Sequence, residues 1–175
     1  MRKSILYIAI SLDGYIAGPD EDLSFLDVVQ QENEDYGYGD FIQTVDTVVM
    51  GRKTYDWIMA HVPEFVHADK TTFTITRTER QSTENTRFHT GDLSDLVRRL
   101  KTESGKNIFI EGGAEVVKTL LLDDLIDEYV ISIIPVLVGG GTKLFEDGRP
   151  QQTLKLISTK QFDSGLVQLH YQREV

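Results

Sequence analysis

Residues 108–117 read IFIEGGAEVV. Ile108, Phe109 and Ile110 lead into a carboxylate, Glu111. Two adjacent glycines follow, then Ala114, Glu115, Val116 and Val117. The first part has the apolar character of a buried strand. The last part opens a helix, with Val116, Val117, Leu120 and Leu121 on its inner face. Glycine inside an element costs conformational entropy, and a plain turn needs only one. A pair at a strand-to-helix joint reads either as a tight turn or as a place where something comes very close to the backbone.

The same strand-then-helix grammar runs outward in both directions. Ser4–Ser11 is an unbroken apolar run, as expected for a central strand covered on both faces. Thr47–Met50 is a short β-branched strand, and the helical RKTYDWIMA follows it. KTTFTIT, at 70–76, alternates as a strand does. Asp92 reads as an N-cap, because Leu93, Leu96, Val97 and Leu100 follow at helical spacing and Gly105 closes the segment. Past Asp124 the helices stop. EYVISIIPVLVG, TLKLISTKQFD and LVQLHYQRE are strands, and Asp163-Ser164-Gly165 is a hairpin turn. A βαβ core carrying an antiparallel C-terminal edge is a three-layer α/β domain spanning residues 1–175.

Bulk properties narrow the partners. The 175 residues suit one domain with a sizeable core. A net charge of −10 opposes nucleic acid or an anionic membrane as partner, since both require a basic surface. The absence of cysteine removes disulfides, thiol nucleophiles and thiolate metal sites, and suits a reducing cytoplasm. The N-terminal MRKSILYIAISLDGYIAG begins as a signal peptide does, but Asp13 cuts its apolar run short. No run reaches the roughly 20 apolar residues that a membrane span needs.

Three strand ends carry unusual residues. Gly51-Arg52-Lys53-Thr54 opens a helix, Thr76-Arg77-Thr78 follows the next strand, and the glycine pair follows the third. In a parallel sheet these ends share one edge, where ligands bind. Helix N-termini offer free N–H groups and partial positive charge, and glycine lets a phosphate reach them. Basic residues in a first helical turn oppose the helix dipole, which favours a functional over a purely surface role for Arg52 and Lys53. The set reads as a site for a ligand with several phosphates. GRKT resembles the tail of a P-loop, but Asp46 stands where its first glycine belongs, and no GxGxxG follows any strand.

Other chemistries have less support. DEDLSFLDVVQQ, from Asp20, places Phe25 and Gln31 where a calcium loop needs glycine and glutamate. His61, His67, His89 and His170 lack metal-ligand spacing, so no metal site is expected. Tyr36–Asp40, YGYGD, reads as a flexible aromatic loop or a lid. The Gly139–Gly141 loop beside apolar strands suggests a substrate loop or a subunit interface, and hence a homodimer.

Taken in order, SLDGYIAG, VVMGRKTYDWI, TITRT, IFIEGGAEV and PVLVGGGTKLF resemble the dihydrofolate reductase-like superfamily. The nearer resemblance is to the branch with the reductase (RibD C-terminal) domain of bacterial riboflavin biosynthesis. It covers nearly the whole chain. It implies a three-layer dihydrofolate reductase-like fold, with a mainly parallel sheet and antiparallel C-terminal edge strands. It also implies NADPH and hydride transfer to a small pteridine- or pyrimidine-like heterocycle. By the resemblance, Gly51, Arg52, Lys53 and Thr54 hold the adenosine-side phosphates. Thr76, Arg77 and Thr78 surround the adenosine and its 2′-phosphate. Gly112 and Gly113, joined by a cis peptide, approach the pyrophosphate, with Ala114 and Glu115 beside them. Ala9 and Ile16 lie along the nicotinamide. Asp13, Asp27 and Glu111 are the candidate catalytic acids.

The substrate half departs from both branches. EDLSFLD offers Phe25 and Leu26 where dihydrofolate reductases carry tryptophan, and WIMAHVPEFVHADK is unlike the proline- and arginine-rich segment of the riboflavin enzymes. Two alternatives accompany the heterocycle reductase. One is the 5-amino-6-(5-phosphoribosylamino)uracil reductase itself, and the other is a nucleotide-binding sensor without catalysis.

Overall fold

The computed structural model describes residues 1–174. The described residues form ten strands and four α-helices. They are β1 (Ser4–Ser11), β2 (Tyr15–Ala17), α1 (Tyr38–Gln43), β3 (Val45–Gly51), α2 (Arg52–His61), β4 (Thr71–Ile75) and β5 (Thr86–His89). Then come α3 (Leu93–Thr102), β6 (Asn107–Gly112), α4 (Ala114–Leu122), β7 (Glu128–Ile134), β8 (Thr142–Lys143), β9 (Leu154–Gln161) and β10 (Val167–Arg173). Eight strands form one sheet in the order β5-β4-β3-β6-β1-β7-β10-β9, while β2 and β8 pair separately.

The first six strands of that order run parallel, and β10 and β9 are antiparallel to their neighbours. The anticipated layers are present, with a reason visible in the strand alternation. In β6, Ile108 and Ile110 point to one face and Phe109 to the other. The first face packs on Leu93, Leu96, Val97 and Leu100 of α3 and Val116, Val117, Leu120 and Leu121 of α4. The second packs on Phe41 and Ile42 of α1 and on Tyr55 and Ile58 of α2. β1 sits between β6 and β7, with Leu6 level with Ile110 and Tyr129. Its unbroken apolar run is the consequence of a helix layer on either side. The Asp92 cap is in place, its carboxylate accepting from Asp95 N at 2.8 Å.

Some local expectations yield to packing. Tyr36–Asp40 is not an open loop: Tyr38–Gln43 is helical, and its rings are partly buried in an aromatic cluster. Tyr7 stacks on Phe41 at 4.4 Å, and Phe41 meets Phe109 edge-on at 5.1 Å. Burial of those rings outweighs the poor helix propensity of a glycine-rich segment. The strand at 128–134 ends before Pro135, which has no N–H to donate, and residues 135–141 leave the sheet. β5 and the β2–β8 pair are too short to stand out in sequence. Among the described residues, no helix is long and apolar enough to cross a membrane.

Candidate cofactor cleft and active site

The carboxyl ends of β1, β3, β4 and β6 open on a cleft of about 1220 Å³. The topology brings the three strand-end motifs to its wall. Gly51, Arg52, Lys53 and Thr54 line it, as do Thr76, Arg77 and Thr78, and Gly113, Ala114 and Glu115. α2 and α4 both begin there, and neither has a side-chain cap. Their first-turn N–H groups are therefore left for another acceptor. A β-carbon on Gly51 would lie 3.5 Å from Gly113 N, so the two helix N-termini meet. Gly112 takes φ +109°, a conformation open to glycine, and is joined to Gly113 by a cis peptide bond. The glycine pair therefore brings two uncapped helix starts together on one wall.

Charge is unevenly placed in the cleft. Arg52 and Arg80 both reach Asp56 at 2.8 Å, and Lys53 reaches Glu21 at 3.2 Å. The Arg80 hydrogen bond is the leading cause that holds the Asp56 carboxyl below the usual carboxylate range. Arg77 is different: its side chain is 96% exposed, and Glu115, 3.9 Å away, is its ion-pair partner. At that distance the contact is not a hydrogen bond, so this guanidinium is free to take an anion. Thr76 Oγ1 accepts from Thr78 N at 3.2 Å and donates to Thr78 O at 3.1 Å, which shapes the turn that presents Arg77. The opposite end is apolar, lined by Ile8, Ala9, Ile16, Ala17, Leu23 and Leu26.

The three acids separate. Asp13 lies outside the cleft wall and braces a loop. It accepts from Ser11 Oγ at 2.6 Å, Gly139 N at 2.7 Å and Val138 N at 3.0 Å. These bonds, that of Ser11 foremost, lower its pKa to about 2. Asp27 is exposed on the short 3₁₀ turn Ser24–Val29, whose Leu26, not Asp27, reaches the cleft. Glu111 alone of the three lines the cleft, at the end of β6.

Sequence reasoning passed over other wall residues. Arg80 and Glu21 carry no local pattern, and both reach the cleft from turns. Trp57, which the sequence already sets just after GRKT, lines it, 40% exposed and stacked on His61 at 4.5 Å. His67, set aside for want of metal-ligand spacing, is fully buried behind Glu111 and bonded to it. Among the described residues, no three His, Asp or Glu side chains are grouped as a metal site.

The profile of the RibD C-terminal domain matches residues 2–168. The chain belongs to the RibD C-terminal domain family. Proteins similar to it include YwjB of Bacillus subtilis (strain 168), an uncharacterised protein 44% identical over 98% of both chains. YyaP of the same organism, also uncharacterised, is 31% identical, with 97% of this chain and 94% of that one covered. A solved structure of a putative riboflavin biosynthesis protein from Shewanella sp. PV-4 superposes with a TM-score of 0.89 at 30% identity, over 99% of both chains. A second, the diaminohydroxyphosphoribosylaminopyrimidine deaminase/5-amino-6-(5-phosphoribosylamino)uracil reductase of Thermotoga maritima, gives 0.73 at 14% identity. It shares the fold, and this chain spans 57% of it. The mainly parallel sheet with antiparallel edge strands is thus a RibD C-terminal fold.

Proposed function

We propose that this member of the RibD C-terminal domain family is an NADPH-dependent reductase of a small heterocycle. One observation carries the reading. Two uncapped helix N-termini, a nearly fully exposed arginine and an apolar end line a single cleft. That is the donor set a phosphorylated dinucleotide requires. The N–H groups at the starts of α2 and α4, with Lys53 and Thr54, suit the phosphates. Arg77 suits the extra 2′-phosphate, with Thr76 and Thr78 around the adenosine. Ile8, Ala9 and Ile16 offer an apolar bed for the nicotinamide. Bound NADPH supplies the hydride. The chain then has to hold the substrate against that bed and exclude water. Leu23 and Leu26 supply an apolar cover and Glu111 a polar anchor.

The phosphoribosylaminouracil reductase named for the Thermotoga protein is the second reading. Its substrate carries a phosphate, and the basic residues that line the cleft, Arg52, Lys53, Arg77 and Arg80, lie on or near the motifs assigned here to the cofactor. We therefore favour a substrate without phosphate. A catalytically silent nucleotide sensor would share the cofactor half and reduce nothing. We further propose a cytoplasmic homodimer, since the cysteine-free chain suits a reducing compartment and β9 leaves Leu156 and Ile157 exposed on an outer edge.

Titration with NADPH and NADH tests the reading, followed by fluorescence of Trp57, the single tryptophan. NADPH is expected to bind more tightly. Arg77→Ala should weaken NADPH by about 10- to 100-fold, the loss of one charge-assisted contact, and leave NADH unchanged. Calorimetry showing that neither nucleotide binds would overturn the reading.

A further inference from the structure

The segment between α2 and β4, residues 62–70, plays no part in the cofactor cleft described above. It places His67 directly behind Glu111. His67 Nε2 lies 2.9 Å from Glu111 Oε2. The imidazole is 0% exposed, whereas Glu111 keeps 19% of its side chain open at the cleft. His67 Nδ1 is buried with no hydrogen-bond partner. The ring is boxed by the edges of Phe65, at 5.7 Å and 89°, and Phe109, at 5.9 Å and 84°. Two turn bonds fix the segment, Ala68 N to Phe65 O at 3.1 Å and Lys70 N to His67 O at 2.9 Å.

These contacts select one form of the imidazole. An ionised carboxylate only accepts, so the proton of the bond sits on Nε2. A second proton, on Nδ1, would be a charged N–H buried among aromatic rings with no acceptor, which is costly. A bare Nδ1 lone pair is the cheaper orphan, so the hydrogen of the pair belongs on Nε2. Tyr38 of α1 has its phenol pKa raised, first by burial and then by the Glu111 charge, so it adds no charge to the pair. Asp69, the charged neighbour on the same segment as His67, is held ionised chiefly by its hydrogen bond from Lys70. A leucine would fill the same box without an orphaned nitrogen. Packing alone therefore gives no reason for histidine here.

We infer that His67 is a positioning residue, whose Nε2–H fixes the Glu111 carboxylate so that it meets the substrate as a stationary acceptor. The substrate then presents an N–H donor to Glu111. The identity of the substrate rests on the reductase reading; the His67–Glu111 bond does not.

Two measurements test it. In the ¹⁵N-labelled wild type at neutral pH, long-range ¹H–¹⁵N spectra should show His67 protonated at Nε2 and bare at Nδ1. The carboxyl ¹³C resonance of Glu111 should move in His67→Leu and return in His67→Gln, which keeps an N–H donor. An imidazolium, an Nδ1–H tautomer, or a Glu111 resonance indifferent to His67 overturns the inference. If His67→Leu fails to fold, the wild-type tautomer and the glutamine variant still decide. The second measurement is calorimetry on NADPH-loaded protein with isocytosine and its des-amino parent, pyrimidin-4-one. The wild type should prefer isocytosine. His67→Leu should lose about 10- to 100-fold of that affinity at unchanged NADPH affinity, and His67→Gln should recover most of it. No preference in the wild type overturns the donor assignment. Failure to bind NADPH overturns the reductase reading instead, and leaves the tautomer result to decide the hydrogen bond.

Discussion

Single residues in this protein do different work from what their type suggests. Asp13 follows β1 where a catalytic acid is convenient, yet its carboxylate is occupied by Ser11 Oγ and two backbone N–H groups. The cost of that arrangement shows up as acid sensitivity. Its folded pKa is depressed from 3.8 to about 2. The stabilisation is therefore complete above the unfolded value and is lost as pH falls through the folded one. The wild type should lose melting temperature between pH 3.8 and about 2 more steeply than Asp13→Asn does. Equal slopes in a calorimetric pH series would remove Asp13 from the loop's anchoring. Arg77 belongs at this scale too. Its near-complete exposure makes Arg77→Ala a substitution that removes a ligand contact without disturbing the core.

Elements meet the cleft through close approaches that admit no side chain. Gly141 takes φ +117°, and a β-carbon there would lie 2.2 Å from Ala17 O and 2.5 Å from Gly18 C. Ala17 belongs to β2 and lines the cleft. Gly141→Ala must therefore push β2 off β8, and it should destabilise the protein by roughly 3 kcal/mol. Gly140, one residue earlier, has open space within 4 Å and serves as the control. Chemical denaturation of the two variants separates them; equal midpoints would mean that the loop yields freely. Asp92→Ala removes the cap of α3 and should cost about 1 kcal/mol, read in the same assay.

For the whole molecule, the outer edge matters. β9 is an eight-residue edge strand whose residues are mostly exposed, Leu156 and Ile157 among them. A long edge with apolar side chains is a template for a second chain, and Lys155 and Lys160 on the same strand limit uncontrolled pairing. Light scattering after gel filtration should give twice the chain's mass, and Ile157→Lys should give a monomer. A monomeric wild type would remove the proposed dimer.

The sequence by itself determined the order and type of the long elements, because hydrophobic period and capping are local properties. Ser4–Ser11 read as a doubly covered strand, and Asp92 with the Leu93–Leu100 spacing as a capped amphipathic helix. It also marked GRKT, TRT and EGG, since glycine and basic residues at strand ends are unusual wherever the chain goes next. Tertiary structure alone decided which of these met. Parallel pairing of β3 with β4 and β6 brought the three motifs to one wall. It set Glu111 in the cleft, left Asp27 in solvent and tied Asp13 to the 138–139 backbone. The Tyr38–Gln43 helix and the burial of His67 were illegible for the same reason. Both depend on Phe109, a residue more than 40 positions away in the chain, and no local pattern carries a contact of that range.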